Sequence, residues 1–148
     1  MAPPEDKTLE EEDPIKLLGD GVDVLTFEQI LEMDDSPEDR DFSSSIVFGF
    51  FDQAKETFEQ MDEALESRDL EKLSELGHFL KGSSATLGLV KIRDGCEKIQ
   101  RFGKLENEDG SQMPDEELCL KRVKEALTDV KDDYVDVEKS LKKFFRDV

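Results

Sequence analysis

Apolar residues recur every three or four positions from residue 24 to the end of the chain, and no segment alternates with period two. That spacing predicts helices and no sheet. The first element covers 24–33, where Val24, Phe27, Ile30 and Leu31 share one side. The run Asp34-Asp35-Ser36-Pro37-Glu38-Asp39-Arg40 breaks the pattern and reads as a loop. From 41 to 67, Val47, Phe51, Ala54, Phe58, Met61 and Leu65 make one continuous stripe. Ser67-Arg68-Asp69 turns the chain, and Asp69 is placed to cap the next helix. That helix covers 70–87, with Leu73, Leu76, Leu80 and Leu87 inward and Gly88 placed to end it. A fourth runs from 90 to 105 on Ile92, Cys96, Ile99 and Phe102. The last starts near Pro114, a suitable first-turn residue. Its stripe of Leu120, Val123, Leu127, Val130, Tyr134, Val137, Leu141 and Phe144 keeps a strict seven-residue repeat.

Long helices joined by short loops become antiparallel neighbours. The pattern therefore predicts an all-α fold: an antiparallel up-down four-helix bundle with an additional short N-terminal helix over one end. A coiled-coil dimer through the last helix is the alternative. It leaves the other helices without the apolar face they need to close a core.

A chain of 148 residues fits one domain. Residues 1–13 are rich in Pro, Glu and Asp and read as a tail, with a short turn over 14–20. This divides the chain into an acidic, largely flexible segment 1–23 and a single bundle domain over 24–148. A net charge of -19 disfavours nucleic acid and anionic membrane, because like charges repel. No apolar run approaches the ~18 residues of a membrane span, and the start lacks the basic and apolar regions of a signal peptide. Cys96 and Cys119 both fall on apolar stripes and read as reduced core thiols of an intracellular protein. Two cysteines and one histidine make no metal-ligand set, so no metal site is expected.

His78, the only histidine, does not fit a bland bundle. A turn of about 100° per residue sets it about 160° from Leu76 and Leu80, about 140° from Leu73 and about 180° from Leu87. It therefore faces away from the core. Glu71, Ser74, Glu75, Lys81, Gly82, Ala85 and Leu89 lie on its side of the helix. Gly82 stands one turn on, in a helix interior where glycine costs about 1 kcal/mol relative to alanine. Clearance is one reason to place it there: with no side chain at Gly82 and a methyl at Ala85, another protein can approach the imidazole. Lys81 adds a cation. The bland alternative is a surface histidine beside an accidental glycine.

The segment His78-Phe79-Leu80-Lys81-Gly82-Ser83-Ser84-Ala85-Thr86-Leu87-Gly88-Leu89 resembles the phosphorylation motif of histidine-containing phosphotransfer domains, and the fungal osmosensing phosphorelay intermediates in particular. The similarity extends through Cys96-Glu97-Lys98-Ile99-Gln100. Upstream it takes in Ile30-Leu31-Glu32-Met33-Asp34-Asp35 and Phe51-Asp52-Gln53-Ala54-Lys55-Glu56-Thr57-Phe58. It covers about residues 24–105, whereas the last helix matches in pattern only. The resemblance implies the same bundle fold and a carrier that takes a phosphoryl group from a receiver-domain aspartate of a hybrid histidine kinase and passes it to the aspartate of a response regulator. It implies Nε2 of His78 as the phosphorylated atom. It implies that Gln100 and Lys104 are polar residues of the neighbouring helix facing the histidine. Lysine stands at 104 where the family often has arginine, and loses the bidentate geometry while keeping the charge.

On that reading Lys81 supplies charge to the phosphoryl oxygens, and Ser83 helps to hold the surroundings of the site. Ser84 lies toward the core and bonds back to a carbonyl. The chain has no Walker A loop and no protein-kinase signature, so no kinase or ATPase activity of its own is expected. It needs no cofactor of its own, because the receiver domain brings Mg²⁺. An apolar patch for docking is expected from Phe79 beside His78, from Ile30 and Leu31 of the short helix, and from Phe42, Ile46 and Phe50, a second row on the long helix. The competing reading is that these residues only pack the short helix onto the bundle. The acidic stretch Glu32 to Asp41 lacks the spacing of a calcium loop and reads as a solvated segment that can steer a basic rim. A monomer passing between cytoplasm and nucleus completes the expectation. A different class, an acidic helical adaptor with His78 incidental, has no need of lysine and glycine at three and four residues beyond an exposed histidine.

Overall fold

The computed structural model describes residues 18–36 and 38–147, and five α-helices run through them. They are α1 (Val24–Leu31), α2 (Asp41–Glu66), α3 (Leu70–Thr86), α4 (Val90–Gly103) and α5 (Glu116–Asp147). No β-strand occurs among the described residues, only the isolated bridges Ser36–Asp39 and Glu106–Gln112. α2 packs on α3, α3 on α4, α4 on α5, and α5 closes on α2. The senses alternate. Across α2 and α5, Lys131 meets Asp62 at 2.9 Å and Glu138 meets Lys55 at 3.4 Å, so one number falls as the other rises. This is the expected antiparallel bundle with a short helix added at its N-terminal side.

Local chemistry sets the helix ends. Asp69 accepts a hydrogen bond from the Lys72 amide at 3.0 Å and caps α3. Gly88 closes the α3–α4 turn at φ +76°, and a Cβ there would lie 2.8 Å from the Asp23 carbonyl. Both the left-handed backbone and the close approach require glycine. The start of α5 differs from expectation. Asp115 is its cap, accepting from the Leu118 amide at 3.1 Å, and Pro114 stands one residue outside. Cys119 takes the inward position near that end and Leu120 is only half-buried. The rest of the α5 stripe, Val123 to Phe144, is buried within the chain's own core, so no coiled-coil seam is left for a partner. Both cysteines are free and buried, and burial pushes the Cys96 thiol up to about 12.

α1 lies over the end of the bundle where the α3–α4 turn meets the C-terminus of α5. Phe27 packs edge-on against Phe144 at 5.5 Å. The Asp23 amide donates to the Gly88 carbonyl at 2.7 Å and the Val90 amide to the Gly21 carbonyl at 3.1 Å. Residues 18–23 were expected to belong to the flexible segment. Instead Leu18 and Val22 are buried, because the bundle end offers them apolar surface. Residues 1–17, with most of the expected 14–20 turn, lie outside the described residues. The described residues of the 34–40 loop are exposed or half-buried, as expected of a solvated segment, and only the Asp34 carboxylate is sunk. The Asp34 side chain is 1% exposed and accepts from the Ser43 amide at 2.8 Å, from Ser43 Oγ at 2.6 Å and from Arg40 at 3.1 Å.

α3 and α4 approach closely at two glycines. A Cβ on Gly77 would lie 3.0 Å from both the Cys96 carbonyl oxygen and the Gln100 nitrogen. One on Gly103 would lie 2.7 Å from the Leu70 carbonyl oxygen and 2.8 Å from the Ser74 nitrogen. Both positions abut backbone, which cannot swing aside.

Two outcomes follow. Gly103→Ala should lower stability to urea by about 1–3 kcal/mol, the usual cost of overpacking, although alanine is the better helix former. For Asp34, burial raises the carboxyl, but the bonds from Ser43 and Arg40 outweigh it and hold the group below the usual carboxylate range. A depressed carboxyl stabilises the fold fully above its unfolded value of about 3.9 and loses that contribution as pH falls through the folded value. Asp34→Ala should therefore cost about 1–3 kcal/mol at neutral pH, and less in urea titrations run at successively lower pH in that acid range.

Candidate functional site

His78 sits in the middle of α3, one residue after the Gly77 contact, and its side chain is exposed. The core side of the same helix is filled by Leu73, Leu76 and Leu80. Among the described residues the imidazole has no hydrogen-bond partner at either ring nitrogen. Gly82, one turn on, is exposed with nothing within 4 Å of where a Cβ would stand. Among the described residues, none supplies a packing reason for this glycine. Ala85 is exposed beyond it.

Lys81 is less free than the sequence suggests. Its ammonium donates to Glu97 Oε1 on α4 at 2.8 Å. The other oxygen of Glu97 accepts from Arg101 Nε at 2.6 Å, and Arg101 reaches on to Glu106 at 3.4 Å. The Lys81 ammonium, opposed by burial and helped by Arg101, holds the Glu97 carboxyl below its ordinary value. Glu97 stood in the segment that carries the family resemblance but was given no role, and Arg101 was not selected, although their i, i+4 spacing on a helix is a readable ion-pair signal.

Ser83 donates to Gln53 Oε1 at 3.0 Å, which ties the site to α2 through a residue the sequence reading did not select. Ser84 is buried and bonds back to the Leu80 carbonyl at 2.8 Å, as expected. The Gln100 backbone lies against Gly77, next to His78, and its Oε1 is buried without a hydrogen-bond partner among the described residues. A buried acceptor left open costs about 1–3 kcal/mol, so it stands ready for a donor at this contact. Lys104 is exposed at the end of α4, one turn past Gln100, and no hydrogen bond or ion pair joins it to a described residue.

The apolar patch is smaller than expected. Phe42 and Phe79 are each 47% exposed and Ile46 is half-buried. Ile30, Leu31 and Phe50 are buried, which corrects their placement on an open surface. The short helix can hold its place only by burying its apolar side, and Phe50 is drawn in against Phe51 with ring centroids 6.3 Å apart. Leu25 and Met33 are the apolar residues that this segment leaves outside. On α2, Phe42, Ile46, Gly49 and Gln53 follow one another at helical spacing, and Gln53 meets α3 at Ser83. An apolar strip thus runs from Phe42 toward the helix of His78.

A family model described as Hpt domain matches residues 46–133. Multistep phosphorelay regulator 1 of Schizosaccharomyces pombe is 48% identical over 125 residues, 84% of this chain and 42% of that protein. Phosphorelay intermediate protein YPD1 of Candida albicans is 47% identical over 106 residues, 70% of this chain and 56% of that protein. The chain thus spans about half the length of the curated relatives it matches. Among solved structures, the Saccharomyces cerevisiae histidine phosphotransfer signaling protein Ypd1, co-crystallised with the receiver domain of its downstream response regulator Ssk1, superposes with a TM-score of 0.75. It is 32% identical, and the match covers 86% of this chain and 95% of that one.

The open surroundings of Gly82 set a clear expectation for stability. Gly82→Ala should raise resistance to thermal unfolding by roughly 0.5–1 kcal/mol, because helix propensity acts with no clash against it. A loss of stability would mean that Gly82 has a packing role.

Proposed function

The chain belongs to the Hpt domain family, and from that membership we propose that it is a histidine phosphotransfer protein of a multistep phosphorelay, with His78 as phosphoryl acceptor and donor. The observation that carries this is the outward, unengaged imidazole of His78 beside the cleared surface at Gly82. A carrier must meet two different partners at one atom, and an imidazole roofed by its own chain serves neither.

The incoming group is an aspartyl phosphate of a hybrid histidine kinase's receiver domain. Neutral imidazole attacks through the Nε2 lone pair, in line with the bond to be broken. The Nε2–P bond forms, the P–O bond to aspartate breaks, and its electron pair leaves with the carboxylate. The ring keeps its Nδ1 proton through the transfer. The reverse step delivers the group to the aspartate of a response regulator. Charge stays spread over three phosphoryl oxygens, and Lys81 is the nearest cation along the helix to meet them. Gln100 and Lys104 lie further along α4, Gln100 with its side-chain oxygen buried near Gly77 and Lys104 on the exposed edge of the same site. Mg²⁺ and a second lysine come with the receiver, so the chain carries the group without kinase or ATPase activity and without a cofactor of its own. Phe42, Ile46, Phe79, Gly82 and Ala85 form the docking surface, and the acidic surface favours a basic rim on the partner. The protein acts as a monomer in osmosensing, in both cytoplasm and nucleus.

Mixing the protein with a receiver domain charged by acetyl phosphate should give a label that is labile to acid and stable to alkali. His78→Gln should keep the helical spectrum and lose the label. Persistent label in that variant, or none on the parent with any competent receiver, refutes the proposal. Gly82→Gln should slow transfer by about tenfold or more, equivalent to ~1.4 kcal/mol of docking, in a fold of undiminished stability.

A further inference from the structure

Lys81 has two claims on it. The phosphoryl group on His78 needs its charge, yet the structure commits its ammonium to Glu97 at 2.8 Å. A carboxylate that kept Lys81 would stand as a negative charge close to an incoming anion and would withhold the cation as well. The arrangement on α4 answers this. Arg101 Nε reaches Glu97 Oε2 at 2.6 Å, one helical turn away, while Lys81 uses Oε1. Each cation thus has its own oxygen. The side chains are about one third exposed, at 29% for Lys81 and 35% for both Glu97 and Arg101. Partial desolvation makes a bare carboxylate costly there, while leaving Lys81 room to move. Glu106 draws on the far edge of the guanidinium through Nη1 at 3.4 Å, and the shorter Nε bond stays with Glu97.

We propose that Arg101 is a positioning residue for phosphoryl transfer: it holds and neutralises the Glu97 carboxylate so that Lys81 can leave it for the phosphoryl group on His78. This rests on His78 being the phosphorylated residue and adds the device that governs its cation. Lys81, three residues past His78 on α3, needs only to turn about its own side chain to change partners. Glu97 then keeps Arg101 and is not left bare beside the new negative charge. In the uncharged carrier the same carboxylate stores Lys81 away from the imidazole, so an ammonium does not crowd the nucleophile.

The test compares transfer rates from one charged receiver domain to the parent, Arg101→Gln, Arg101→Lys, Glu97→Gln and the double variant Arg101→Gln/Glu97→Gln. Arg101→Gln should slow transfer by about tenfold, the effect of ~1.4 kcal/mol in the barrier. Arg101→Lys should recover most of the rate, because a cation is restored. The double variant should return to the parent rate, because nothing then holds Lys81. A merely structural role for Arg101 predicts instead a lower unfolding temperature with no rescue by Glu97→Gln. Parent-like transfer by Arg101→Gln, or a double variant as slow as the single one, overturns the proposal while leaving His78 as acceptor. An unlabelled parent overturns the acceptor reading itself, and this proposal with it.

Discussion

The bundle depends on two helices touching backbone to backbone. At Gly103, α3 and α4 come closer than any side chain there would permit, and at Gly77 a Cβ would press on the α4 backbone at 3.0 Å. Ridge-into-groove packing ordinarily keeps helix axes about 8–10 Å apart, and side chains then fill the space between. Here the space is removed. The consequence is chemical: Glu97 and Gln100 on one helix are brought level with His78 and Lys81 on the other. The Lys81–Glu97 pair is short because the helices are close, and the Gln100 side chain is sunk deeply enough for its oxygen to be buried. Chains with larger residues at 77 and 103 could build a bundle, but not this juxtaposition.

The same helix carries glycines of opposite purpose. Gly77 faces inward and is needed for contact within the chain. Gly82 faces outward and touches nothing. Between them stands His78. A helix interior tolerates two glycines within six residues only if tertiary packing supplies the missing stability, and Leu73, Leu76 and Leu80 on the buried side supply it. The apolar strip on α2 and the open patch over Gly82 then form one surface, joined where Ser83 meets Gln53. Among the described residues, nothing crowds Gly82 on the side from which a partner would approach the imidazole.

Much of this was legible in the sequence. The four-residue and three-residue steps of apolar positions located every helix to within a few residues, because burial of one helix face leaves that trace directly. The outward aim of His78 followed from its angle to Leu73, Leu76 and Leu80, and Gly82 from its cost in a helix interior. What could not be read was which apolar residues pack the short helix and which stay open. Ile30, Leu31 and Phe50 share the composition and spacing of Phe42 and Phe79, and only the tertiary fit over the bundle end separates them. Asp34 looked like one acid among many, because its bonds to Ser43 and Arg40 depend on how the loop folds back. Gly77 and Gly103 were passed over since periodicity records side chains and is silent about backbone contact. The Glu97–Arg101 pair was visible as an i, i+4 spacing, but its importance comes from Lys81 reaching it across the helix interface.

The central claim concerns one nitrogen, and nitrogen-15 magnetic resonance of the histidine ring reads it directly. With ring-labelled protein and a charged receiver domain, phosphoryl transfer should give His78 Nε2 a one-bond coupling to phosphorus, with the backbone resonances of the bundle core unmoved. If the ring resonances stay as they were while phosphate accumulates elsewhere on the chain, the exposed imidazole is incidental and the carrier account is wrong.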